Sequence, residues 1–142
     1  MGSYIKARQR FGQISKGEIM RIRISWQTGA VEAIIDSTPT AKKVWEALPC
    51  SASASTWGEE VYFEMPVTAE LEPDARQVVD KGAVCFWGEG RSLALPYGPT
   101  PISQGDECRL VSEVNVLGRI DGDARVLTEV VDGASIKVER VE

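Results

Sequence analysis

Along most of this chain apolar residues return at every second position, in one short run after another. Period two belongs to strands, whose side chains alternate between the faces of a sheet, so the spacing argues against a mainly helical fold. In residues 19–26, Met20, Ile22, Ile24 and Trp26 share one face, and Arg21, Arg23 and Ser25 share the other. A strand so built covers a core on one side and meets water on the other. Gln27-Thr28-Gly29 is a turn, and residues 30–35 come back as its partner strand. The same alternation marks residues 59–65: Val61, Phe63 and Met65 lie with Glu59, while Glu60, Tyr62 and Glu64 lie opposite. Residues 82–87 and 92–97 form a hairpin about Gly88-Glu89-Gly90, with Leu93, Leu95 and Tyr97 on one face. Residues 51–56, 107–111, 114–120 and 135–141 also read as strands, and the acidic residues 71–81 as a loop with a short helical turn.

Two helices interrupt this pattern. Thr38 is a natural N-cap, and Pro39 suits the first helical position, where no N–H is needed. Ala41, Val44, Trp45 and Leu48 then recur at helical spacing until Pro49 stops the run, with Trp45 as the helix's expected anchor into the end of the barrel. Residues 123–131 read as a second short helix, ended before Gly133. Many strands at short spacing with few helices predict a mainly β protein: a closed, roughly eight-stranded barrel with one or two short capping helices. At 142 residues the chain is one domain, expected over 18–142 behind a polar, basic leader at 1–17. In a closed barrel the apolar set faces inward, which puts Glu60 and Tyr62 on the outer wall. Strict alternation sends Trp57 inward and a bulge at Gly58 sends it outward; both arrangements stay open.

Composition excludes more chemistry than it suggests. The chain has no histidine, hence no Ser-His-Asp triad, no Cys-His dyad and no His-containing zinc site. Cys50, Cys85 and Cys108 are widely spaced without a C-x-x-C pair, which suits a reduced cytoplasmic setting and a packing role. No D-x-D-x-D-G loop marks a calcium site, and neither a metal nor any other cofactor is expected. A net charge of −5 and the lack of a basic run argue against nucleic acid as a partner. No apolar stretch approaches the ~20 residues that span a bilayer, and no apolar h-region marks a secretory signal, so no membrane partner is expected.

The motifs carry a resemblance. Pro39, Thr40, Ala41, Val44, Trp45, Leu48 and Cys50 are arranged much as in the helix that follows the first hairpin of cyclophilins. Thr56-Trp57-Gly58-Glu59-Glu60-Val61-Tyr62-Phe63 is similar to the W-G-x-E-x-Y-F signature of a small prokaryotic family of cyclophilin-like proteins of unassigned function. Gly98-Pro99-Thr100-Pro101 and Val114-Asn115-Val116-Leu117-Gly118 resemble two further motifs of that family, in the same order. The resemblance spans nearly the whole chain and implies a helix-capped, eight-stranded barrel. Prolyl isomerases of this fold carry an F-H-R strand, a Q-G-G-D turn, and a Trp and a His at the proline pocket. Residues 51–56 stand roughly where F-H-R would be and hold no Phe, His or Arg. The isomerase arginine assists the amide as its C–N bond loses double-bond character, so the departure falls where the chemistry is done.

The candidate site is therefore a groove on the outer wall around Trp57, Glu60 and Tyr62, with Tyr97, Thr100 and Asn115 as neighbours. An aromatic wall, a carboxylate, a phenol and an amide together can hold a small polar molecule or a short peptide by stacking and a few hydrogen bonds. The plainer reading is that Trp57, Tyr62, Tyr97 and Thr100 pack, Glu60 is solvated or ion-paired, and Asn115 bonds a neighbouring loop. No residue is assigned a catalytic role. The expected function is a binding module for a small metabolite or short peptide. Prolyl isomerisation and a non-catalytic interaction subunit, homo-oligomers included, are the alternatives.

Overall fold

The computed structural model describes residues 19–142, so the leader expected at 1–17 lies outside the described residues. β1 (Met20–Trp26) and β2 (Gly29–Ile35) form the expected first hairpin, with Met20, Ile22, Ile24 and Trp26 buried. In α1 (Pro39–Glu46) the Thr38 hydroxyl caps the first turn, accepting from the Ala41 N–H at 3.3 Å. Trp45 is buried in the core as expected, and the Arg140 guanidinium lies 4.9 Å from its ring centre. Then follow β3 (Cys50–Ser53), β4 (Ser55–Thr56), β5 (Glu60–Glu64), β6 (Arg76–Val79), β7 (Ala83–Trp87), β8 (Ser92–Pro96) and β9 (Cys108–Asp121). A 3-10 helix, Ala124–Glu129, stands where the second helix was predicted, and β10 (Ser135–Val141) ends the chain.

The strands pair antiparallel in the order β3-β10-β1-β2-β9-β7-β8-β5-β4, and β6 pairs with β9 off this path. This corrects the expected closed, eight-stranded barrel on two points. The described residues form ten strands, and no ladder of hydrogen bonds joins the ends of the sheet. The two end strands, β3 and β4, are separated in the chain by Ala54 alone. The run 51–56 is thus two short strands with different partners. At the switch the Ala54 N–H donates to the Ala134 carbonyl at 2.8 Å, and its carbonyl accepts from the Gly133 N–H at 2.7 Å. The chain itself, rather than a ladder, connects the sheet's ends.

One face of the sheet, together with α1, encloses the main core. Ile22, Ile24, Ala33, Ile35, Val44, Val61, Phe63, Val84, Phe86, Leu93, Leu95, Leu117 and Val138 all meet there. Gly118 allows β9 to cross close to β2; a Cβ on it would lie 1.9 Å from the Ile34 carbonyl oxygen.

The other face is covered in part. β9 is a single strand of fourteen residues where the sequence suggested two. Its second half pairs with β2 and β7, and its first half pairs with β6. β6 itself occupies part of the predicted loop 71–81. Arg76-Gln77-Val78-Val79 shows no alternation, and β9 supplies the template that makes it a strand. Val79, Cys108, Leu110 and Val114 from this arm pack with Ala83, Cys85 and Ala94 in a second, smaller apolar cluster. Cys85 and Ala94 alternate with Val84, Phe86, Leu93 and Leu95, so the arm lies over the side of β7 and β8 that turns away from the main core.

Candidate ligand pocket

The signature segment is a tight hairpin. Ser55 stands opposite Tyr62 and Thr56 opposite Val61. One step further the Trp57 N–H donates to the Glu60 carbonyl at 3.0 Å, leaving Gly58 and Glu59 to turn the chain. Residues opposite each other in an antiparallel pair share a face, so Trp57, Glu60 and Tyr62 point the same way. Gly58 makes this turn possible. Its φ is +59°, and a Cβ there would lie 2.8 Å from Pro101 Cδ and 2.9 Å from Thr100 Cα. The 97–99 segment holds the turn from outside: Glu59 N–H donates to the Pro99 carbonyl at 2.9 Å, and Tyr97 N–H to the Glu59 carbonyl at 2.8 Å. Trp57 therefore faces outward, through a hairpin turn at Gly58.

Between this hairpin and the β6–β9 arm is a hollow of about 230 Å³. Trp57, Tyr62 and Trp87 form its aromatic wall, Leu110, Val111 and Val114 come from β9, and Ala94 and Glu60 complete it. Tyr62 and Trp87 meet edge to face, with centroids 6.1 Å apart and planes at 86°. Trp87 is oriented by its indole N–H, which donates to Ser112 Oγ at 3.0 Å; that hydroxyl donates in turn to Glu89 at 3.0 Å.

Glu60 does not stand in solvent. It is on the outer side of β5, as its alternation requires, but the arm covers that side and leaves it 6% exposed. No donor among the described residues reaches its carboxylate, and burial pushes its pKa up to about 7. On the same side of the sheet, burial first and the Glu60 charge second raise the Cys85 thiol far above its ordinary range, so it is no nucleophile. The neighbouring Glu59 has the opposite surroundings. Arg125 donates to both its oxygens, at 2.9 and 3.2 Å, and these bonds hold its carboxyl below the usual range.

The other three candidate residues lie elsewhere. Tyr97 is buried with Leu93 and Leu95 in the main core, as its alternation with them requires, and Arg125 sits 5.5 Å from its ring centre. Thr100 is tied into its own loop: its hydroxyl donates to the Arg109 carbonyl, and its N–H donates to Ser103 Oγ at 2.9 Å. Asn115 is a buried staple. Its Oδ1 accepts from Glu72 N–H at 2.8 Å, and its Nδ2 donates to Thr40 Oγ1 and to the Glu70 carbonyl, both at 2.9 Å. It borders a different hollow, beside Leu71 and Gln77.

Sequence reasoning missed Trp87 and the β9 residues. For Trp87 the sequence showed only that it shares a face with Cys85; the pairings of Cys85 with Ala94 and of Ala94 with Tyr62, which bring it to the pocket, come from the sheet. Leu110, Val111 and Val114 had no signal, because nothing local shows that their strand folds back over β5. Among the described residues no group of three or more His, Cys, Asp or Glu side chains is placed to hold a metal ion. No described helix is long and apolar enough to cross a membrane.

A single antiparallel sheet wrapped about a main core, with one α-helix set on it and its ends joined through Ala54, places the molecule in the cyclophilin-like class of mainly β folds. The sequence profile of the family described as Cyclophilin-like matches residues 20–139, and the chain belongs to that family. It is similar to a hypothetical protein from Archaeoglobus fulgidus whose solution structure is known. Identity is 37% and the TM-score 0.76, over 89% of this chain and 98% of that one. No curated protein matches the chain. The family's function is uncharacterised, so the comparisons bring no activity with them.

Proposed function

We propose that this protein is a binding module that takes a small molecule, or one side chain of a short peptide, into the pocket walled by Trp57, Tyr62 and Trp87. The observation that carries this reading is Glu60, a buried carboxylate that faces a hollow and has no donor among the described residues. Burying a carboxylate without a partner is strongly unfavourable, and an unsatisfied polar group inside a native protein calls for a role. A ligand that completes its hydrogen bonding supplies one. The aromatic rings, held by packing and by the Trp87–Ser112 bond, offer apolar contact that is already in place. The volume lies below the ~300–1,000 Å³ of pockets for drug-sized ligands, so the ligand or inserted side chain is small.

A fragment library screened by thermal shift and by tryptophan fluorescence tests this. Fragments that bind should raise the melting temperature by mass action, and NMR should map them to the indoles of Trp57 and Trp87. Hits that map only to other surfaces, or no hits at all, would overturn the reading. The pocket wall carries a carboxylate and no guanidinium, so prolyl isomerisation has no support from it. Exchange of X-Pro peptides is expected to run at the uncatalysed rate.

A further inference from the structure

Resting on that reading, we propose that the pocket selects a substituted ammonium ion, with the cation against the Glu60 carboxylate and its alkyl groups on the aromatic wall. Among the described residues Glu60 is the one charged side chain that lines the hollow, and no lysine or arginine balances it there. With a neutral ligand Glu60 relieves its burial only by keeping a proton, and an anion would add a like charge beside the ionised carboxylate, so neither favours the charged form. A cation brings the counter-charge with it. Trp57, Tyr62 and Trp87 line the same hollow, and aromatic rings attract cations over their faces, more strongly away from water.

The kind of cation follows from counting donors. Magnesium and calcium ask for about six or more oxygen ligands, and this wall offers one carboxylate among apolar groups. A guanidinium carries five N–H donors; Glu60 can accept two of them and the aliphatic wall none. A primary ammonium leaves donors unmet for the same reason. A methylated ammonium has no such surplus, and its methyl groups suit the surface of Leu110, Val111 and Val114. The fit is to charge plus apolar bulk, whether the group belongs to a free metabolite or to a methylated lysine side chain.

Titrating the full chain with choline and with its neutral isostere 3,3-dimethylbutan-1-ol, read by tryptophan fluorescence and NMR, tests the assignment. Choline should bind at least tenfold more tightly. Glu60→Gln, which keeps shape and removes charge, should abolish that preference. Trp57→Leu, which keeps apolar area and removes a π face, should weaken choline more than the alcohol. A trimethyllysine tripeptide run alongside identifies the source, tighter than choline for a peptide ligand and weaker for a free one. If the alcohol binds as tightly as choline, or the preference survives in Glu60→Gln, the ammonium assignment is wrong although the pocket still binds. If neither member of the pair binds, the ammonium assignment is overturned; the fragment screen above decides whether the pocket binds at all.

Discussion

On the inner side of the wall made by β5, β7 and β8, Val61, Phe63, Val84, Phe86, Leu93 and Leu95 are each exposed by 1% or less and fill the space between them. On the outer side of the same three strands, Glu60, Tyr62, Cys85, Trp87 and Ala94 face the β6–β9 arm, and a hollow remains. The contrast lies in residue volume. Large side chains meet large side chains within the core, whereas the small Ala94 leaves the outer wall low between its aromatic rims. One side is built for stability. The other tolerates a gap and a carboxylate that the first could not.

Truncation on the inner side should show the largest effect. Phe63→Ala is expected to lose about 3–5 kcal/mol, and Trp45→Ala a similar amount by releasing α1 from the core. Urea titration measures both. A loss under ~1 kcal/mol at either position would remove the claim that the inner face carries the stability.

Glu60 makes the next largest difference, and its direction depends on pH. Its carboxyl titrates at about 7 in the folded chain against an ordinary value of 4.5. The folded state therefore holds its proton more tightly than the unfolded state does. The Glu60 contribution to stability should be greatest below pH 4.5, fall as pH rises toward 7, and level off above it. Glu60→Gln has no proton to lose and escapes this decline. It should be more stable than the parent by up to about 3 kcal/mol at pH 8 and equal to it near pH 4. A difference that stays constant between those two pH values would contradict the burial of Glu60.

Overpacking separates the two sides more finely. Ala33→Leu, on the filled inner face, should cost about 1–3 kcal/mol. Ala94→Leu has the hollow to grow into; it should change stability by less than ~1 kcal/mol and block ligand binding. Equal losses at the two positions in a thermal melt would mean that the outer side is as full as the inner. The smallest effect belongs to Glu59→Gln. Its pair with Arg125 is exposed, so the melting temperature should shift slightly in low salt and not in high salt.

Much of the fold was readable in local pattern. The alternation of β1, β2, β5 and β8, the Thr38 cap, the helical stripe through Trp45 and the hairpin glycines each act over a few residues. The motif order was enough to place the chain in its family. At the pocket, the same-face grouping of Glu60 and Tyr62 was legible; the direction of Trp57 was left open between strict alternation and a bulge at Gly58, and a tight hairpin turn decides it. Tyr97 was misplaced against its own alternation. Thr100 and Asn115 were grouped with the site as polar residues within family-like motifs, and both spend their hydrogen bonds on neighbouring loops and side chains.

By itself the sequence determined which side of each strand is apolar, because side-chain direction follows from backbone geometry one residue at a time. Only the tertiary structure decided what covers the polar side. Leu110 and Val114 lie about fifty positions from Glu60 in the chain, yet they turn a surface carboxylate into a buried one. Periodicity describes a strand's two faces; the solvent at each face, and with it the charge state of Glu60, depends on a contact that closes a long loop.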